Sequence, residues 1–143
     1  MNFEKYTEKS RQAVSLSQEI AIKKENQQIE GEHLHLALLL QEEGLIPKLL
    51  QFMGENLSII TNDVEKEVEK FPKVYGHDSS IFATRRFNKL LLDAEDISKK
   101  FKDEYVGVEH LYLSLLDERN TPPKRYSKVL TSTEKDFLKP LQK

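Results

Sequence analysis

The chain has 143 residues, of which 38% are apolar and 32% charged, and this fits a single folding domain with a strongly solvated surface. There is no cysteine, so disulfides, thiolate metal sites and cysteine nucleophiles are excluded. The formal net charge of −2 argues against a basic nucleic-acid-binding protein, and no apolar run is long enough to cross a membrane.

Helical patterns dominate the first half of the chain. A first amphipathic helix is predicted over about 7–24, where apolar residues recur at helical spacing. The segment 34–40 is apolar on nearly all sides, which is typical of a short helix at the centre of a bundle. We expect Gly44 to end this helix, Pro47 to lie in the first turn of the next helix, and Gly54 to end that one.

The fourth and fifth predicted helices carry the clearest amphipathic patterns. Apolar residues form a single stripe over 57–71, with charged residues on the opposite side, and a second stripe runs over 87–101. The residue before a proline avoids the helical region, so the fourth helix is expected to stop before Pro72. Glycine, aspartate and serine residues then indicate a connector over 72–83.

The remaining residues predict three more helices. The segment 111–116 is apolar nearly all round, like its counterpart in the first half. Two prolines at 122–123 separate the sixth and seventh helices, and Pro140 shortens the eighth. No segment alternates between apolar and polar residues, so strands are not predicted. The fold class is therefore predicted to be all-α, with eight helices.

An internal repeat divides the chain into two copies of one four-helix unit. When the sequence is shifted by 77 residues, segments 7–43 and 84–120 share 9 of 37 identities, including a Glu-His-Leu motif in each. We expect one domain over 1–143, with a first repeat over about 1–71 and a second over about 84–143. Each copy has an apolar face that it cannot cover alone, so the copies should pack together and leave an apolar groove.

The charge is unevenly distributed along the chain. Residues 124–143 hold six lysines and arginines against two acidic residues, a net +4, which leaves −6 for residues 1–123. A basic stretch of this size is more typical of a solubilising surface than of a phosphate-binding one. Because no apolar leader follows Met1, we expect a cytoplasmic domain whose partners include neither nucleic acid nor a membrane.

Six short motifs in four segments of the chain carry a resemblance to a known family. They are Asn-Gln-Gln-Ile and Glu-His-Leu within 26–34, Gly-Leu-Ile-Pro at 44–47, Phe-Pro-Lys-Val at 71–74, and Asp-Glu-Tyr-Val and Glu-His-Leu within 103–111. In these motifs the chain resembles the N-terminal domain of the Clp ATPases, over essentially its whole length. The Gly-Leu-Ile-Pro motif at 44–47 and the connector are more similar to ClpB-type disaggregases than to the ClpA or ClpC unfoldases.

This resemblance implies an all-helical, non-enzymatic module that is linked to a hexameric AAA+ ATPase. Such a module captures unfolded or aggregated polypeptides for the ATPase, with a DnaK-type chaperone system as a possible partner of the full-length protein. No Gly-x-x-x-x-Gly-Lys-Ser/Thr motif is present, so ATP and magnesium are expected only in ATPase modules outside these residues. The isolated domain is expected to be a monomer without a cofactor, and the full-length protein a hexamer.

Two other functions remain open from the sequence. The domain could dock a folded adaptor protein, as the N-terminal domains of ClpA- and ClpC-type unfoldases do. It could also be a scaffold that only positions the ATPase ring. Capture of unfolded chains should depend on apolar side chains and tolerate many sequences, whereas adaptor docking should depend on surface charge and salt.

The resemblance also implies which residues bind substrate. In ClpB-type proteins a threonine that opens the first helix, an aspartate before the sixth helix and a glutamate at the start of that helix are functionally important. An apolar groove along the fifth helix and the start of the sixth contacts substrate, but this sequence has Asp93 and His110 at two of the apolar positions. The candidate substrate-binding residues are Leu91, Ile97, His110, Thr7, Asp103 and Glu109.

Several acidic and hydroxyl residues also have purely structural explanations. Thr7 and Thr84 each stand where a threonine oxygen caps the start of a helix. Glu32 and Glu109 stand where a carboxylate meets the positive end of a helix dipole. Asp103 lies in a charged loop, as a capping residue or a surface acid.

The histidines do not predict a metal site. His33 and His35 are two residues apart, so on a helix they point about 200° away from each other and cannot share an ion. We interpret His33 and His110 as packing or hydrogen-bonding groups near the seam between the repeats. The sequence contains no motif of a nucleophilic or phosphate-binding enzyme either.

Overall fold

The computed structural model describes residues 3–75 and 80–118. These residues form six helices and one very short pair of strands, which confirms the all-α prediction. The predicted seventh and eighth helices lie outside the described residues, so the count of eight is not confirmed. The elements are α1 Glu8–Lys23, β1 Gln28–Ile29, α2 Gly31–Leu40, α3 Leu45–Phe52, α4 Leu57–Glu69, β2 Phe82–Ala83, α5 Arg85–Lys100 and α6 Val108–Asp117.

Helices α2 and α6 form the centre of the fold. Residues 31–39 of α2 and all but one of residues 108–116 of α6 are buried, as the two apolar segments of the sequence predict. Helix α1 packs on α2 and helix α5 packs on α6, and α4 covers another side of α2. The longest helices have 16 residues, and no helix in the described part of the chain could cross a lipid bilayer.

Two of the three predicted helix boundaries in the first repeat are confirmed. Helix α4 ends at Glu69, shortly before Pro72, and Gly54 follows α3 in the left-handed conformation with φ +86°. The prediction for Gly44 is wrong. Helix α2 already ends at Leu40, and Gly44 is instead the N-cap of α3 with an extended backbone.

The two strands were not predicted from the sequence. Strands β1 and β2 pair in parallel, with Gln28 opposite Phe82 and Ile29 opposite Ala83. Two residues are too few to show an alternating pattern, so periodicity cannot reveal such a pair. The pairing places the end of the predicted connector 72–83 directly beside the start of α2.

Local structures recur at a spacing of 77 residues and describe a pseudo-twofold relation between the repeats. The bridge between Tyr6 and Val106 corresponds to the pairing of Ala83 with Ile29. The turns after α1 and α5 each contain one left-handed residue, with φ values of 60° and 59°. The seam between the repeats is therefore built from corresponding segments that cross over, each pairing with the other repeat.

The pseudo-twofold axis passes between His35 and Tyr112. These residues occupy corresponding positions 77 residues apart, and they contact each other directly: His35 Nε2 lies 2.9 Å from the Tyr112 hydroxyl. Corresponding positions of a twofold repeat can touch only near the axis. Both side chains are buried, so the centre of the seam is filled and the predicted apolar groove does not lie there.

Both threonine caps predicted from the sequence are confirmed. Thr7 Oγ1 accepts a hydrogen bond from the Ser10 backbone N–H at 3.1 Å. Thr84 Oγ1 accepts one from the Phe87 N–H at 3.1 Å, and its hydroxyl lies 2.9 Å from a carboxylate oxygen of Glu30 in the other repeat. Thr84 thus both begins α5 and joins the two repeats.

We expect Thr84→Ala to lower the free energy of unfolding by about 1–2 kcal/mol, because it removes the cap and the link to Glu30. Thr84→Ser keeps the hydroxyl and should lose less than about 0.5 kcal/mol. Urea unfolding of the two variants measures the difference. Equal losses in both variants would show that the methyl group, not the hydroxyl, is the stabilising part of Thr84.

Candidate functional site

The candidate site is built on the turn between α5 and α6, which we name the acidic turn (residues 101–110). Helix α5 ends at Lys100, and Lys102 then adopts the left-handed conformation. The N–H of Asp103 donates to the Ser98 carbonyl at 2.9 Å, which closes the turn. The backbone is thereby fixed before the chain enters α6, so the side chains of this turn are held at defined places.

His110 holds the acidic turn together from the first turn of α6. Its ring is buried, and Nδ1 accepts a hydrogen bond from the Gly107 N–H at 2.9 Å. In the neutral ring the proton is therefore on Nε2, which donates to Asp103 Oδ2 at 2.7 Å. The predicted hydrogen-bonding role of His110 is confirmed, and through it Asp103 is held against the start of α6.

Glu109 places a second carboxylate beside Asp103. Its side chain folds back over Gly107, where a β-carbon would lie only 2.9 Å from the carboxyl carbon of Glu109. Only glycine leaves this space open, so the local sequence permits the fold-back. One ligand atom each of Asp103, Glu109 and His110 lies within 4.8 Å of the others. The site is thus a small concentration of negative charge at the surface.

The donor set of this cluster suits an organic cation better than a metal ion. Because His110 Nδ1 already accepts a hydrogen bond, Nε2 carries the proton and offers no lone pair to a metal. Two carboxylates then remain, and Asp103 is exposed. A group that donates hydrogen bonds and carries positive charge fits these acceptors without displacing the histidine proton.

Thr7 lies beside the acidic turn through its backbone. Its N–H donates to the Val106 carbonyl at 3.0 Å, and the Ser10 hydroxyl donates to the same carbonyl at 2.8 Å. The structure therefore joins Thr7 of the first repeat to Val106 in the acidic turn of the second repeat. The Thr7 side chain itself caps α1.

The two apolar candidates lie farther inside than expected. Leu91 is only 1% exposed and belongs to the core, so it can contact a ligand only if α5 moves. Ile97 is half-buried and packs against the core. The exposed apolar side chains near them are Leu92, Phe101 and Tyr105, with 55%, 37% and 49% of their surface accessible. Sequence analysis missed Leu92 because it lies off the apolar stripe of α5, one position beyond Leu91.

The corresponding turn of the first repeat, residues 24–33, is already occupied. Phe71 packs on the His33 ring with centroids 5.3 Å apart, the Asn26 side-chain amide donates to the Pro72 carbonyl at 3.1 Å, and the Val74 N–H donates to the Glu25 carbonyl at 2.8 Å. Residues 71–74, which form neither helix nor strand, thus lie along this turn and line a cavity of about 220 Å³ with it.

A cluster of ion pairs around Arg86 joins the two repeats near the start of α2. Arg86 of α5 donates to Glu118 at 2.7 and 2.9 Å, to Glu32 at 2.9 Å and to Glu30 at 3.3 Å. Burial alone would lower the pKa of Arg86, but the bonds to Glu118 and Glu32 outweigh it and raise the pKa, so the guanidinium stays charged. Sequence analysis assigned Glu32 to the helix dipole and missed this partner.

Comparison with known proteins agrees with these observations. The sequence matches the family model of the Clp repeat N-terminal domain over residues 5–130. It is 40% identical to the chaperone protein ClpB of Clostridium tetani over 99% of this chain, and 41% identical to ClpB of Nitratidesulfovibrio vulgaris over 82%. The chain spans 17% and 14% of the lengths of these two relatives.

Solved structures match the fold at lower sequence identity. The Hsp104 N-terminal domain from Candida albicans has a TM-score of 0.75 at 20% identity, covering 96% of this chain and 81% of that one. The N-domain of ClpV from Vibrio cholerae has a TM-score of 0.75 at 14% identity, covering 96% and 87%. Domains of this kind are all-helical and non-catalytic, and the ATPase lies in other parts of the full proteins. The chain belongs to the Clp repeat N-terminal domain family.

Proposed function

We propose that this domain recruits unfolded or aggregated polypeptides for an ATP-dependent, ClpB-type disaggregase. The observation that carries the proposal is the identity of 40% with a ClpB chaperone over 99% of the chain. In the full-length protein, ATP and magnesium would be bound by the ATPase modules of a hexamer, and a DnaK-type chaperone system would be a partner. The domain itself would contribute binding without chemistry, in the cytoplasm.

The acidic turn and its apolar neighbours are the surface that we assign to substrate. Phe101 and Tyr105 expose apolar surface that a segment of unfolded polypeptide could cover. An unfolded chain loses conformational entropy when it binds, so the affinity of one domain should be modest. Six tethered domains on a hexamer would raise the overall affinity through effective concentration.

The six candidate residues have different parts in this proposal. Asp103 and Glu109 would contact substrate, and Ile97 would contribute the edge of the apolar surface. Thr7 and His110 would hold the acidic turn in place through the contacts described above. The sixth residue, Leu91, would support the surface from the core and contact substrate only if α5 moves.

Substitutions of exposed apolar side chains test the proposal. We expect Phe101→Ser and Tyr105→Ser each to weaken binding of a permanently unfolded, leucine-rich model polypeptide about fivefold, because each loses roughly 1 kcal/mol of apolar burial. Fluorescence anisotropy measures the affinity. Phe52→Ser is the matched control, since Phe52 is 80% exposed on α3. Equal weakening in all three variants, or none in any, would contradict the assignment.

Docking of a folded adaptor is the second candidate function. The negative charge of Asp103 and Glu109 supports it, because charged surfaces determine the specificity of such interfaces. An adaptor complex should dissociate as salt is raised. If the domain binds no unfolded polypeptide but binds a folded partner with strong salt dependence, this second function replaces the first.

A further inference from the structure

The first repeat shows how this fold holds an extended segment of polypeptide. Three groups of segment 71–74 bind the turn at 24–33: the Phe71 ring packs on the histidine, the Pro72 carbonyl accepts from residue 26, and the Val74 N–H donates to the carbonyl of residue 25. The two backbone hydrogen bonds need no particular side chain, and Lys73 Nζ adds one side-chain hydrogen bond to the Lys24 carbonyl at 3.2 Å. Binding of this kind suits a chain whose sequence varies, because most of the hydrogen bonds involve its backbone.

The second repeat offers the same backbone framework. Lys102 corresponds to Glu25 and has nearly the same left-handed φ value, so its carbonyl occupies the corresponding place. His110 corresponds to His33 and makes the same two hydrogen bonds. Each histidine accepts from the backbone N–H three residues earlier, and its Nε2 lies within hydrogen-bond distance of a side-chain oxygen, of Asn26 in the first repeat and of Asp103 in the second. Among the described residues, no hydrogen bond reaches the Lys102 carbonyl, whereas the carbonyl of Glu25 is bound by the connector.

Three differences between the turns change the charge of the binding surface. Asp103 replaces Asn26, so an acceptor stands where the first repeat has an amide donor. Gly107 replaces Glu30 and makes room for the Glu109 carboxylate. In the described residues no cation pairs with Glu109, whereas the corresponding carboxylate, Glu32, is paired with an arginine. Residues 24–33 and 101–110 each carry a formal charge of −2, but Arg86 pairs with Glu30 and Glu32 of the first turn. The second turn therefore has a similar backbone and more unpaired negative charge.

We infer that the acidic turn binds an extended segment in the way that the first turn binds the connector, and that it selects a lysine or arginine side chain in that segment. The segment's N–H would donate to the Lys102 carbonyl, and its cationic group would lie between the carboxylates of Asp103 and Glu109. The inference rests on the proposed function and names the substrate class: unfolded segments in which a basic residue adjoins apolar ones.

The neighbouring aromatic residues favour the same ligand. Phe101 contacts the His110 ring at a centroid distance of 6.4 Å and remains 37% exposed, and Tyr105 is 49% exposed. Aromatic faces attract lysine and arginine side chains, whose aliphatic stems also cover apolar surface. Carboxylates flanked by aromatic rings therefore complement a basic residue on both counts, its charge and its stem.

Two peptides and three variants test the inference. The probes are two fluorescein-labelled, unstructured peptides. In the first, leucines flank a single arginine. The second has glutamine in place of that arginine and is otherwise identical. We expect the arginine peptide to bind the 143-residue chain about fivefold more tightly at low salt. Asp103→Asn and Glu109→Gln should each remove most of this preference. Glu19→Gln, which neutralises an exposed carboxylate on α1, should preserve it.

The outcomes separate the inference from the proposed function. If both peptides bind with equal affinity, the selection of a basic residue is refuted while capture of unfolded chains stands. If neither peptide binds at millimolar concentration, both fail together. If the preference survives in Asp103→Asn and Glu109→Gln but is lost in Glu19→Gln, a cationic residue is selected elsewhere and the assignment to the acidic turn is overturned.

Discussion

We expect Arg86→Met to lower the free energy of unfolding by about 3 kcal/mol. The arginine is the shared partner of Glu30, Glu32 and Glu118, and the Glu32 side chain is only 6% exposed. Its Oε1 atom already has no hydrogen-bond partner, so loss of the guanidinium would leave a buried carboxylate without compensation. Methionine keeps the packing of the aliphatic part of the side chain, so most of the loss reports on charge and hydrogen bonding.

Lys89→Met is the matched control for this prediction. Lys89 and Asp93 form an ion pair at 2.8 Å on the same helix, but their side chains are 73% and 45% exposed. Such a pair contributes little, so we expect a loss of less than about 0.5 kcal/mol. Urea unfolding measures both variants. Losses of the same size would contradict the view that Arg86 joins the two repeats through a buried carboxylate.

We expect the stability of the domain to fall steeply as the pH is lowered from about 6.5 to about 4. Burial lowers the pKa of His33 and of His35 to about 4 in the folded protein. In the unfolded chain both would titrate near 6.5, so in this window the unfolded state binds more protons. Each histidine then removes about 1.4 kcal/mol per pH unit, and above pH 6.5 neither has an effect.

His35→Gln isolates one of these two contributions. Glutamine is neutral at every pH in this range and can still hydrogen-bond to the Tyr112 hydroxyl. Urea unfolding at several pH values gives the slope of the unfolding free energy against pH. Between pH 6 and pH 4.5 we expect this slope to decrease by the amount that corresponds to about one fewer proton bound on unfolding. An unchanged slope would mean that His35 is already protonated in the folded protein, despite its burial at the pseudo-twofold axis.

Much of the fold could be predicted because local and global patterns agree. The apolar segments around Leu36 and Leu113 have no polar face, and the structure places both helices at the centre. The threonine caps need only a hydroxyl at the right position before a helix, so sequence alone identifies them. The repeat of 77 residues then predicts that corresponding segments adopt corresponding structures, as the two left-handed turns do.

The candidate site could be predicted only in part, because its geometry depends on contacts between distant segments. Nothing in the local pattern indicates that Val106 is bridged to Tyr6, or that Arg86 pairs with Glu32 of the other repeat. The burial of Leu91 has the same origin. A helical stripe identifies the face that packs, but the neighbouring helix decides which of its residues remain accessible.

Chemical-shift mapping on the uniformly ¹⁵N-labelled chain tests the central claim most directly. A permanently unfolded, leucine-rich model polypeptide carrying basic residues is titrated to millimolar concentration. The account predicts saturable shifts on residues 101–110, with no comparable shifts on 24–33, where the connector is already bound. Shifts confined to 24–33, or none on either turn, would contradict the account of the acidic turn as the surface that captures unfolded chains.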